Sequence, residues 1–136
     1  MMPAGKYWVG DLCYVLDEDW NECCYLFFKE RNDNGCNEGE FTLSDGRRFV
    51  SLNTAWGDGY YIDNSGRGYG VDAGLIGCIL AKDVGLEGNE RNVSGGHIID
   101  FPTDFECSND DGKIIIGDVV IDTDPDIDSE YNEDEN

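Results

Sequence analysis

The residues best suited by type and spacing to do chemistry lie in WGDGYYIDNSGRGYGVDAGLIG, Trp56 to Gly77, where seven glycines are threaded between aromatic and branched residues. Glycine lets a backbone amide approach a ligand closely, so Gly57 and Gly59 could present N–H groups while Asp58, Asp63 and Asp72 hold a polar group or a cation. Trp56, Tyr60, Tyr61 and Tyr69 would then wall an aromatic pocket, with Arg67 as a further polar contact. The same glycines serve equally well as turns, bulges and points of close strand packing. The stretch therefore reads first as folded sheet and second as a ligand site. Gly66-Arg67-Gly68-Tyr69-Gly70 is not a dinucleotide fingerprint, because it lacks the strand, G-x-G-x-x-G and helix context that phosphate binding needs.

A second candidate is the acidic C-terminus. In DTDPDIDSEYNE, carboxylates stand at Asp122, Asp124, Asp126, Asp128, Glu130 and Glu133, the ligand positions of a calcium-binding EF-hand loop. The geometry is wrong at two places: Ile127 stands where the sharp turn needs glycine, and Pro125 stiffens the loop. Weak, nonspecific divalent binding is the expectation. A zinc site is not indicated, since His97 is the sole histidine and the six cysteines (Cys13, Cys23, Cys24, Cys36, Cys78, Cys107) form no C-x-x-C pair. Nothing in the local sequence marks a Cys–His nucleophile pair, and carboxylates this abundant say little about acid–base work. The chain is expected to be non-enzymatic and to need no cofactor.

Charge narrows the partners. With 9 Lys+Arg against 30 Asp+Glu in 136 residues, the net charge is −21. Phosphate-backbone binding needs clustered basic side chains, so direct contact with nucleic acid is excluded. Residues 117–136 hold nine acidic and no basic residues, and such a block repels itself and has little to bury. We therefore expect one globular domain over residues 1–121 and a solvated, disordered acidic tail over 122–136. The N-terminus, MMPAGKYWVGDL, lacks the apolar core of a secretory signal, and no apolar run is long enough to span a membrane. A cytoplasmic protein with reduced thiols is expected, in which Asn92-Val93-Ser94 is an idle glycosylation sequon.

The elements that must position these residues follow from periodicity. Lys6 to Leu16 reads as a strand bent at Gly10. In DEDWNECCYLFFKER, apolar residues at Trp20, Cys23, Cys24, Phe27 and Phe28 trace the stripe of an amphipathic helix, with Asp17 as N-cap and Lys29 and Arg31 at the C-terminal end. EFTL and RFVSLN flank an Asp45-Gly46 turn and form a hairpin. Tyr60–Ile62 and Tyr69–Val71 are short strands about an Asp63–Gly66 turn, and Leu75–Ala81 is a buried central strand. Asp83–Gly96 is loop, and His97–Phe101, Phe105–Cys107 and Lys113–Ile121 complete the strands. KYWVGDLCY and KIIIGDVVI share one design, Lys, three apolar residues and Gly-Asp. This echo predicts that both segments bend at Gly-Asp within one closed or strongly curved sheet, or else that strands simply reuse good solutions.

GDLCYV, AWGDGYYIDNSGRGYGVDAGLIG and the late GDVVIDTD resemble a family of small uncharacterised acidic proteins of bacteriophages and some bacteria, over most of residues 5–124. The VDAG segment is also faintly similar to the DUF4241 proteins. The resemblance implies an accessory protein acting in bacterial cytoplasm and carries no known active site. The expected fold is α+β: a curved or partly closed, mostly antiparallel sheet with one amphipathic helix packed on it and an acidic tail. Two functions fit. One is an acidic protein that binds and inhibits a basic host protein, such as a nucleic-acid-binding one, by its negative field; acidity that only confers solubility is the plainer form of this reading. The other is sequestration of a small molecule or nucleotide signal in the glycine–aromatic pocket.

Overall fold

A computed structural model describes residues 1–16, 18–28, 38–86 and 95–123, with Phe28 as backbone only. The expected cap Asp17, the terminal charges Lys29 and Arg31, Cys36, the sequon and the tail from Asp124 onward lie outside these residues. In chain order the elements are β1 (Gly5–Gly10), α1 (Trp20–Phe28), β2 (Gly39–Thr42), β3 (Arg48–Asn53), β4 (Gly59–Ile62), β5 (Gly68–Val71), β6 (Leu75–Leu80), β7 (His97–Phe101), β8 (Cys107–Asp110), β9 (Lys113–Ile116) and β10 (Val119–Asp122). The expected α+β class holds, with one α-helix among the described residues and every strand pair antiparallel.

The main sheet has the order β2-β3-β6-β1-β7, with the apolar run of β6 at its centre as expected. Side chains alternate across it. Trp8, Phe49, Leu75 and Ile79 face α1, where they bury Cys23 and Phe27. Tyr7, Val9, Val50, Leu52, Ile76 and Cys78 face the other way, onto Ile114, Ile116, Val119 and Ile121 of a second sheet of order β10-β9-β8. The molecule is thus a helix, a five-stranded sheet and a three-stranded sheet in layers, two cores separated by one sheet. Gly77 lies opposite Ser51 of β3, and a Cβ there would collide with the Val50 carbonyl.

α1 is tied to the β2–β3 turn by polar contacts as well as by its apolar stripe. Glu22 accepts hydrogen bonds from the Ser44 N–H (2.6 Å) and hydroxyl (3.2 Å). Arg47 bridges Asp19 (2.7 Å) and Asp45 (2.8 Å).

Four expectations are corrected. Lys6–Leu16 is not one strand: β1 stops at Gly10, and Leu12–Tyr14 forms a 3₁₀ turn capped by Asp11, whose carboxylate accepts from the Cys13 N–H (3.1 Å). Lys113–Ile121 is two strands, because Gly117 adopts a left-handed φ of 61° and folds the chain back on itself. The two Gly-Asp segments consequently lie in different sheets, and the sheets are open rather than closed. Asp11 is fully buried whereas Asp118 is exposed, so the echo is one of spelling only. Asp122 and Thr123, expected to begin the tail, belong to the fold. Thr123 is buried, donates from both its hydroxyl (2.5 Å) and its N–H (2.9 Å) to the Gly112 carbonyl, and accepts from the Ala55 N–H (2.9 Å).

Candidate functional site

The glycine-rich stretch folds as the β4–β5 hairpin, paired Tyr60↔Gly70, Tyr61↔Tyr69 and Ile62↔Gly68. Two-residue alternation then sorts its side chains. Tyr69 and Val71 are buried in the core with Tyr61 packed against it. Tyr60 and Ile62 point outward, 69% and 54% exposed, with the glycines of β5 opposite them. A Cβ at Gly68 would run into the Tyr60 ring, so the missing side chain is what lets that ring lie across the hairpin. Trp56, in the connection leading into β4, is 61% exposed, and Asp58 beside it is exposed too.

Behind this face Asp63 holds the turn. Its Oδ1 accepts from the Ser65 (2.8 Å) and Arg67 (2.9 Å) N–H groups, and its Oδ2 accepts from Arg67 Nη1 (2.8 Å) and the Tyr69 hydroxyl (2.7 Å). Burial pushes the Asp63 carboxyl up, but the bonds from Tyr69 and Arg67 outweigh it and leave the group below its ordinary value. The Tyr69 hydroxyl is driven well above its ordinary value by burial and by Asp63. His97 joins the cluster: its Nε2 is 2.7 Å from the Gly68 carbonyl oxygen and its ring meets Tyr69 edge to face. The turn is docked on β10 through Asn64, whose N–H donates to the Val120 carbonyl (2.9 Å) while its Oδ1 accepts from the Val120 N–H (3.1 Å).

Asp72 belongs to a separate cluster. Its carboxylate accepts from the Tyr14 hydroxyl (2.7 Å), which with partial burial pushes that phenol up to about 12. The Asp72 and Ala73 N–H groups both donate to Asp11 Oδ2, at 2.7 and 2.6 Å. Asp11 thus ties the end of β1 to the β5–β6 turn. Asp11→Asn keeps one acceptor oxygen for three N–H donors, so whichever way the amide turns its NH2 faces at least one of the Cys13, Asp72 and Ala73 N–H groups, and stability should fall by roughly 1–3 kcal/mol in urea unfolding.

The eight expected site residues therefore divide rather than gather. Asp63, Arg67 and Tyr69 form a saturated polar knot, Tyr61 is half-buried with its hydroxyl donating to the Gly57 carbonyl (3.1 Å), Asp72 serves the β5–β6 turn, and Trp56, Asp58 and Tyr60 remain at the surface. Ile62 completes the outer face, and its alternation with Tyr61 was the signal that could have found it. Three cavities of about 520, 470 and 230 Å³ lie elsewhere, and none is lined by Trp56–Gly77. Of the calcium-loop acids Asp122 is described, in β10 opposite Lys113; the other five lie outside the described residues. Among the described residues no cluster of His, Cys, Asp or Glu is arranged to hold a metal, and no helix is long and apolar enough to cross a membrane. No family profile, curated protein or solved structure matches the chain.

Proposed function

We propose that this chain is a non-enzymatic acidic binding protein that docks a basic protein on the outer face of the β4–β5 hairpin. The observation that carries this reading is the exposure of Trp56, Tyr60 and Ile62 within seven residues, on the β4–β5 hairpin and the connection leading into it, in a chain with net charge −21. Exposed aromatic side chains are the usual anchors of protein interfaces, and burying them on a partner supplies most of the affinity. The negative field accelerates encounter with a basic surface and disfavours phosphate backbones. A basic, nucleic-acid-binding protein of a bacterial host suits both terms. Occupying its nucleic-acid surface would inhibit it, as fits an accessory protein of phage or bacterial type working in the cytoplasm. The hairpin is held rigid by the Asp63 knot and its dock on β10, so little ordering accompanies binding.

The test is isothermal titration against a panel of purified basic nucleic-acid-binding bacterial proteins at low and high salt. Where binding occurs, Trp56→Ala with Tyr60→Ala should weaken it at least about 30-fold, or ~2 kcal/mol, while folding stability changes by no more than ~0.5 kcal/mol. Binding that is indifferent to both residues, or unchanged by salt, would refute the proposal.

A further inference from the structure

The cavity of about 520 Å³ opens where β1 outruns its neighbour in the main sheet. Tyr7↔Leu80 is the last pair between β1 and β6, after which the chain leaves β6 as the 3₁₀ turn Ala81–Val84. Gly5 and Lys6 keep β7 on one side, opposite Phe101 and Asp100, and β1 borders that turn on the other. Of the lining residues, Pro3, Ala4, Lys6 and Lys82 are exposed, Leu80 is half-buried and Ala81 is sealed from solvent, which sets a polar rim over an apolar floor. The ionisable side chains on this lining are both lysines, in a chain with 9 Lys+Arg against 30 Asp+Glu. Arg47, Arg48 and Arg67 are each paired with carboxylates of the chain, whereas among the described residues Lys6 and Lys82 form no ion pair.

We propose that this cavity binds a small organic anion, a phosphate monoester ahead of a carboxylate, between Lys6 and Lys82. A lysine ammonium is a compact charge with three donors on a flexible stem, so two of them on different elements can close on one anionic group. Pro3, Leu80 and Ala81 then take the apolar body of the ligand, and the volume lies within the roughly 300–1,000 Å³ of ligand clefts. A phosphate dianion meets both lysines with a full charge each, and a monocarboxylate must share one charge between them. The net charge of −21 does not cancel this attraction, because exposed charges more than about 8 Å away are largely screened at physiological salt. The neighbouring acids are Asp100, opposite Lys6 on β7, Asp83, next to Lys82, and Asp104, whose Oδ1 accepts from the Ala4 N–H (2.9 Å); none of the three lines the cavity. Nucleic acid is a poor occupant, since its further phosphates would lie against the acidic surface. No lining residue belongs to the β4–β5 hairpin, so the cavity can fill whether or not the hairpin holds a partner.

The experiment titrates the isotope-labelled full-length protein with phenyl phosphate, benzoate and the neutral benzyl alcohol at constant pH and ionic strength, and follows the backbone amide resonances. Phenyl phosphate should shift the amides of residues 4–6 and 80–82 and saturate below about 10 mM, binding at least about ten-fold more tightly than benzyl alcohol and more tightly than benzoate. Lys6→Gln with Lys82→Gln should weaken phenyl phosphate at least about ten-fold, while amides away from the cavity keep their positions because both side chains are exposed. Shifts scattered over the surface, equal affinity for benzyl alcohol, or phenyl phosphate binding that survives the double substitution overturns the proposal. Benzoate bound more tightly than phenyl phosphate overturns the preference for a dianion.

Discussion

Replacing Asp63 with alanine should lower the unfolding free energy by about 3–5 kcal/mol, because the buried carboxylate accepts four hydrogen bonds worth about 1 kcal/mol each, while the Arg67 side chain it leaves behind is 34% exposed and can turn to water. Four hydrogen bonds vanish together, and the Tyr69 hydroxyl, at a residue with no exposed surface, loses its acceptor. Asp63→Asn keeps an oxygen for the Ser65 and Arg67 amides and should forfeit only about 1–2 kcal/mol. Urea unfolding of both variants, beside Asp58→Asn as a surface control within ~0.5 kcal/mol of wild type, tests the ranking. The pH dependence follows from the sign of the shift. The folded Asp63 carboxyl lies below its ordinary value of 3.8, so its stabilisation is fully present above that value and is lost as pH falls through the lower folded value. Wild type should therefore lose stability below about pH 4 more steeply than Asp63→Ala does. Equal slopes would show that Asp63 is not the ionised hub of the turn.

Phe27→Ala should be as damaging, about 3–5 kcal/mol, by opening a cavity between α1 and the main sheet. The ring is 3% exposed and meets Trp20, Phe41 and Phe49 edge to face at centroid separations of 5.8, 5.3 and 6.2 Å. Its neighbours are large, stiff rings that cannot collapse into the space it leaves. A loss below ~1 kcal/mol in chemical unfolding would mean that the helix does not bury this face.

The parts of the fold written in local signals were legible. The stripe through Trp20, Cys23 and Phe27, the Asp45-Gly46 and Asp63–Gly66 turns and the apolar run of β6 each depend on neighbours a few residues away. What was not legible depends on distant partners. Gly10-Asp11 and Gly117-Asp118 look alike, yet the first ends a central strand and buries its carboxylate under Asp72 and Ala73, while the second is the exposed turn of a hairpin. No spacing rule separates them, because the difference lies in which strand arrives beside each. The candidate site was legible in composition but not in direction. Tyr60 and Tyr69 read as one aromatic cluster, and strand pairing sends them to opposite faces of the hairpin.

The position of β1 in the main sheet has a consequence for how the chain is born. β1 lies between β6 and β7, so its partners begin at Leu75 and His97. On a ribosome adding about 5–20 residues per second, the strand Gly5–Gly10 waits roughly 5–18 s for both edges to be filled. Until Leu75–Leu80 has been made, Tyr7, Trp8 and Val9, each 0% exposed in the finished fold, have no native strand beside them. The first strand made is among the last to be covered, and the fold closes around it only when the nascent chain has passed Phe101.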